Sequence, residues 1–204
     1  MESEEISAII VAGVVLSLAF TIAFQNGIFG VLSLSPSQLI GTFILSLIIV
    51  FTSFVLHEMG HRQVARKFGA YAEFRKWNLG LVLAIVTSFF GFIFAAPGAV
   101  MIHARSDLWG RTAAITRKKM GIISLTGPGI NIILAIAFFG LQFVLPISFS
   151  YNILPLGVAI NAWLALFNLL PVPPLDGSKV FAWNKIIWAA AIAISAAFVY
   201  FAGF

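Results

Sequence analysis

Six stretches of the chain carry no charged residue: 7–24, 39–56, 79–96, 120–145, 153–170 and 186–204. Each is long enough, or nearly so, to cross a hydrocarbon core, which takes about 20 apolar residues. Turn-forming residues separate several of them, at Gln25-Asn26-Gly27, from Ser33 to Ser37, and at Pro146 and Pro155. Trp77, Trp109, Tyr151, Trp183 and Tyr200 fall near the ends of the runs, where amphipathic rings prefer to lie. No internal repeat, low-complexity tract or soluble domain interrupts the pattern. It predicts an all-α polytopic membrane protein of about five to six transmembrane helices, with one single integral membrane domain over 1–204.

Composition agrees and removes alternatives. Of 204 residues, 61% are hydrophobic and 9% charged, against roughly a quarter charged in soluble domains. The mean hydropathy is +1.05. The first apolar run opens on the acidic Met1-Glu2-Ser3-Glu4-Glu5, without the basic n-region of a secretory signal. With no cysteine, disulfides and thiolate metal sites are both excluded, so any metal must be held by His, Asp or Glu. The net charge of +5 reads as lysine and arginine on a cytoplasmic face, with no nucleic-acid partner.

Where those basic residues lie changes the topology. Ten of the twelve (Arg62, Arg66, Lys67, Arg75, Lys76, Arg105, Arg111, Arg117, Lys118, Lys119) fall between 62 and 119, and the loops near 25–38 and 146–152 have none. Positive residues favour the cytoplasmic side, yet the run 79–96 separates the two basic stretches, 62–76 and 105–119. One crossing would put one cluster outside, so an even number is expected. The segment 71–104 then enters and returns as a membrane-associated re-entrant or β hairpin, broken at Gly80, Gly91 and Pro97-Gly98. Irregular backbone at membrane depth is tolerated only where protein or a water-filled cavity satisfies it, so the hairpin should line something.

The candidate chemistry sits at the end of the run 39–56, in His57-Glu58-Met59-Gly60-His61. On a helix, histidines four apart share a face and can grip one metal ion, and the glutamate between them can accept a proton from a water that the metal activates. The chain has three histidines and seven acidic residues in all, so this clustering is unlike chance. A carboxylate within a membrane is also expensive, about 2.5–3.5 kcal/mol for aspartate at a span centre. A catalytic zinc takes a third protein ligand. The candidates are His103, Glu73, Asp107 and Asp176, and Asp176 is the best placed. It sits in Pro171-Val172-Pro173-Pro174-Leu175-Asp176-Gly177, where prolines break the helix and Gly177 allows a tight turn. An even crossing at 71–104 also returns Asp176 to the side of the two histidines. Nine residues, about 13 Å of helix, separate His57 from Arg66, so the metal should lie shallowly below the cytoplasmic surface. Asn131 follows Gly127-Pro128, and Asn161 and Asn168 lie two turns apart on one helical face. Asn161 and Asn168 read as substrate or oxyanion contacts, or as hydrogen-bonding glue between helices.

These residues resemble the site-2 protease family of intramembrane zinc metalloproteases. Phe54-Val55-Leu56-His57-Glu58-Met59-Gly60-His61 is similar to that family's Phe-x-x-His-Glu-x-x-His. Gly127-Pro128 with Asn131 resembles its middle motif, and Asn168 to Gly177 matches Asn-x-x-Pro-x-Pro-x-Leu-Asp-Gly. The likeness covers about 39–180, with core spans 39–66, 120–145 and 153–180. It implies one zinc per chain on His57, His61 and Asp176, Glu58 as general base, and Asn131 and Asn168 toward substrate. It further implies cleavage of transmembrane helices of membrane-tethered proteins near the cytoplasmic face, with 71–104 holding unwound substrate. A minimal form is expected, with no room for a PDZ-like insertion between Asn131 and Asn168 and no CBS domain. Only one apolar run follows Asp176, so a shortened C-terminus is also consistent. The competing reading is a membrane metal transporter or metal sensor using the same ligands without proteolysis. The absence of ionisable groups from 25–38 and 146–152 counts against a through-path.

Overall fold

The computed structural model describes residues 3–104, 115–146 and 153–202. Arg105, Asp107, Trp109, Arg111 and Tyr151 lie outside the described residues. In chain order the elements are α1 (Ser3–Phe24), α2 (Ile28–Leu32), α3 (Pro36–Lys67), β1 (Ala70–Lys76), α4 (Asn78–Ser88) and β2 (Gly98–Ala104). They continue with α5 (Arg117–Leu141), α6 (Ile153–Asn168), α7 (Asp176–Trp183) and α8 (Lys185–Phe201).

Among the described residues, α1, α3 and α5 are long and apolar enough to cross a membrane. Helices α6 and α8, with 16 and 17 residues, are shorter. Fewer full-length helices result than the five to six spans expected. The apolar runs continue past the helices themselves: the run 153–170, for example, outlasts α6, which stops at Asn168 ahead of the prolines.

Local sequence explains where the long helices begin. Ser35 caps α3 in a reciprocal capping box with Gln38, and Pro36 occupies the first turn, where its missing amide is harmless. Thr116 caps α5 by accepting from the Lys119 amide. With 32 residues, α3 is about 48 Å long, more than a bilayer core requires. The stretch His57–His61 lies toward the C-terminal end of the helix. Ile40, Ile44 and Ile48 form an exposed apolar stripe four residues apart on α3, suited to lipid. The opposite face packs on α5, and α5 in turn packs on α6 and α7, which places α5 between the two halves of the site.

The segment 71–104 leaves and returns. Strands β1 and β2 pair antiparallel, from Ala70 opposite Ala104 to Lys76 opposite Gly98, and the Trp77 amide donates to the Pro97 carbonyl at 2.8 Å. Residues 76 and 98 are therefore neighbours, and what lies between makes an excursion that closes on itself. Helix α4, of 11 residues, covers about 16 Å. The chain then turns near Phe89–Gly91, where the Phe89 carbonyl accepts from the Ile28 amide at the far end of α1. It comes back without regular structure, held by Trp163 of α6, whose indole N–H donates to the Ile93 carbonyl at 3.0 Å. The apolar run 79–96 is thus half helix and half irregular return. Phe20, Leu16, Ile93, Ile160 and Leu164 pack in the core cluster between α1, the hairpin and α6.

Candidate metal centre

Two helices bring three side chains to one point. His57 and His61 sit on successive turns of α3 and are buried, at 4% and 3% exposure, and Asp176, which begins α7, is partly buried. The ligand atoms are close-set: His57 Nε2 to His61 Nε2 is 3.1 Å, His57 Nε2 to Asp176 Oδ2 is 3.6 Å, and His61 Nε2 to Asp176 Oδ2 is 2.9 Å. Ligands about 2.0–2.1 Å from a tetrahedral zinc stand roughly 3.3 Å apart. The spacing fits such an ion.

Electrostatics give the same answer independently. The Nδ1–H of His57 faces Asn131 Oδ1, and the Nδ1–H of His61 donates to the Ile123 carbonyl at 2.7 Å. Since carbonyl oxygens only accept, both protons belong on Nδ1, and each Nε2 carries a lone pair. Two lone pairs and a carboxylate oxygen then converge in one place, an arrangement that repels itself unless a metal ion or an added proton joins it. Lys179 is the nearest positive group, 3.5 Å from Asp176 Oδ1, the oxygen turned away from the histidines.

The middle motif builds the back wall. Ile123, Gly127 and Asn131 repeat every four residues, so they share the face of α5 that meets α3. A Cβ at Gly127 would strike His57 Nε2 and His61 Nε2, so only glycine lets the helices come this close. Pro128 has no amide for the Ser124 carbonyl, and its ring opens the preceding turn. The Ile123 carbonyl that holds His61 belongs to that turn. Asn131 is fully buried and donates to Asn161 Oδ1 at 3.0 Å, while Asn161 donates to the Gly157 carbonyl at 2.9 Å. These two asparagines stand behind His57. Asn168 instead lines the recess in front, with His57, Glu58, Gly98 and Asp176.

Of the other candidate ligands, the two that lie among the described residues are elsewhere. Glu73 is paired with Arg75 at 2.6 Å, and His103 sits opposite Tyr71 in the sheet. Gly177 differs from the tight turn expected for it. It lies inside α7, and its missing Cβ makes room for the Leu169 carbonyl, so α7 can fold back against the end of α6. Glu58 is 8% exposed and lines the recess beside the histidines, with Gly98, Ala99 and Val100 of β2 on the facing side.

Sequence reasoning missed three groups. Lys179 is signalled only by its i,i+3 spacing from Asp176. The Ile123 carbonyl is a backbone group, invisible in residue types. The third is the Glu5–Arg62 pair, both under 9% exposed, in which Arg62 Nη1 donates to both Glu5 oxygens at 3.0 Å.

Residues 43–153 match peptidase family M50. Three relatives bear the name "Putative zinc metalloprotease". MJ0611 of Methanocaldococcus jannaschii is 44% identical over 177 residues, 86% of this chain and 83% of that protein. YwhC of Bacillus subtilis is 30% identical over 71% of this chain and 69% of its own length. Rip2 of Mycolicibacterium smegmatis is 30% identical over 71% of this chain and 59% of its own. No solved structure matches the chain. The extent of these likenesses leaves one assignment: the chain belongs to peptidase family M50, the site-2 protease family of metalloendopeptidases.

Proposed function

We propose that the protein is an intramembrane zinc protease whose ligands are His57, His61 and Asp176 and whose general base is Glu58. The observation that carries this reading is the convergence of three acceptor atoms within 3.6 Å, beside a carboxylate and a strand edge that pairs with nothing further among the described residues. When bound, zinc supplies Lewis-acid polarisation of the scissile carbonyl and of the attacking water. Glu58 accepts a proton from that water and returns it to the leaving amine. Asn131 and Ile123 keep the imidazoles in the tautomer that presents Nε2, and Asn161 fixes Asn131 in turn. Asn168 is the one of the three asparagines placed to reach a substrate.

A transmembrane helix hides its carbonyls in its own hydrogen bonds, so the substrate must unwind to be cut. Among the described residues, β2 pairs only with β1, and Gly98, Ala99 and Val100 border the recess. An extended stretch of substrate adds to that edge by main-chain hydrogen bonds, which places its carbonyls across the recess. We assign residues 1–204 to one multi-pass membrane domain, with α6 and α8 joining the three long helices as crossings. The basic residues after His61 and at the start of α5 put the site toward the cytoplasmic side, near the end of α3.

The test uses purified protein and a single-pass helical substrate in detergent. Cleavage should stop with a chelator and with Glu58→Ala, while Glu58→Ala still binds one zinc. Full cleavage by Glu58→Ala would overturn the assignment of the base, and zinc movement into liposomes without cleavage would instead assign a transporter.

A further inference from the structure

Of the three buried polar side-chain atoms on α3 that find no protein partner among the described residues, two lie close together in the sequence: Glu58 Oε2 and Arg62 Nε. They belong to residues one turn apart on the same face. Glu58 and Arg62 also line one small cavity, together with Glu5, Glu73 and Phe74, which His57, His61 and Asp176 do not line. The cavity has room for about one water molecule. One orphan is a donor and the other an acceptor, and buried polar groups left by the protein are ordinarily satisfied by ordered water.

We propose that a single buried water bridges Arg62 Nε–H to Glu58 Oε2, and that Arg62 is thereby the positioning residue for the general base. The inference rests on Glu58 being that base. The water accepts from Arg62 and donates to Oε2, which leaves Oε1 to serve the attacking water in the recess. Arg62 is itself immobilised, because Glu5 takes both of its bonds from Nη1 and also accepts from the Phe74 amide at 3.1 Å. A continuous relay therefore runs from the β1 backbone through Glu5 and Arg62 to the catalytic carboxylate. The start of α1 sets the aim of a residue on α3.

Two variants test this. Arg62→Lys keeps the charge beside Glu5, but a single nitrogen cannot hold Glu5 and the water site together. The double variant Glu5→Gln with Arg62→Gln removes both charges at once and keeps an acceptor for the Phe74 amide. Both should bind one zinc per chain, cleave with unchanged KM, and show kcat reduced about 10- to 100-fold, as for other groups that orient a metal site at second hand. A high-resolution crystal structure of the zinc-loaded wild type should show a water within hydrogen-bonding distance of both atoms. The proposal is overturned if that cavity is dry, or if either variant binds zinc and holds kcat within twofold. It is also overturned if KM rises in step with the loss, or if both variants fail to fold or to bind zinc, which would make Arg62 a structural pillar only. Glu58→Gln is the separate control. If it stays active, the base assignment fails whatever the Arg62 variants do, while the water would still be visible.

Discussion

Two buried ionic clusters lie one turn apart on α3, and they are built in opposite ways. Glu5 and Arg62 form a closed cluster, in which one cation meets one anion and a backbone amide satisfies the carboxylate further. His57, His61 and Asp176 form an open one, with three acceptors facing inward and Lys179 only at the rim. The closed cluster balances its charges within the protein, with Arg62 Nε the one atom of the pair left without a protein partner, and it holds α1, α3 and β1 together. The open cluster becomes favourable only when a cation enters. In a chain with so few charges, burying them is tolerable where they neutralise one another or where they do chemistry, and α3 carries one example of each.

The largest effect should come from the open cluster. Asp176→Ala removes the carboxylate that balances two lone pairs and a cation. Zinc content measured on the purified protein should fall to background, and cleavage with it. The fold should survive, because the variant also removes the self-repulsion of the unloaded site. If zinc stays at one per chain, Asp176 is not the third ligand.

The closed cluster should respond in the opposite sense, through stability. Glu5→Leu leaves the Arg62 guanidinium buried without its partner, which costs about 3–5 kcal/mol. Denaturation in detergent should show that loss in protein that still binds zinc when folded. A drop below about 1 kcal/mol would mean that bulk solvent screens Arg62 and that the cluster is not closed.

Much of the open cluster is legible in sequence and little of the closed one. The four-residue interval between His57 and His61 is enough to put both on one face of a helix, and the proline-rich segment marks Asp176 as an irregular exit. The charge bias requires an even passage through 71–104, and the antiparallel β1–β2 pairing has that form. Arg62 and Glu5 are 57 residues apart, and each reads locally as an ordinary terminal or interfacial charge. Their burial depends on how α1 docks, which no local pattern encodes. Asn131 and Asn168 look alike in sequence for the same reason. Only the packing of α5 on α3 turns Asn131 behind His57, and only the end of α6 leaves Asn168 at the recess.

Gly127→Ala tests how tightly the open cluster is held from behind. The added methyl would meet both Nε2 atoms, so α3 and α5 must separate or the imidazoles must tilt. Overpacking of this kind costs roughly 1–3 kcal/mol, and the strain falls on the ligands. Zinc affinity by competitive titration should weaken about 10- to 100-fold, with little change in the helix content seen by circular dichroism. An unchanged affinity would show that the helices can part freely, which the buried His57–Asn131 and His61–Ile123 contacts argue against.

The smallest expected effect distinguishes two uses of Asn168. Its amide donates to the Leu164 carbonyl at 2.9 Å, so the side chain is already held by its own helix, and its oxygen is the atom left to meet a substrate amide. A main-chain hydrogen bond of that kind contributes about 0.5–1.5 kcal/mol, so Asn168→Ala should raise KM roughly two- to tenfold with kcat unchanged. If the amide instead swings to donate to the developing oxyanion, the loss appears in kcat and is far larger, on the order of 10²–10³. A kcat defect at constant KM would therefore move Asn168 from holding the strand on β2 to stabilising the transition state. It would also make the substrate-facing wall of the recess, as well as its metal-facing wall, part of the chemistry.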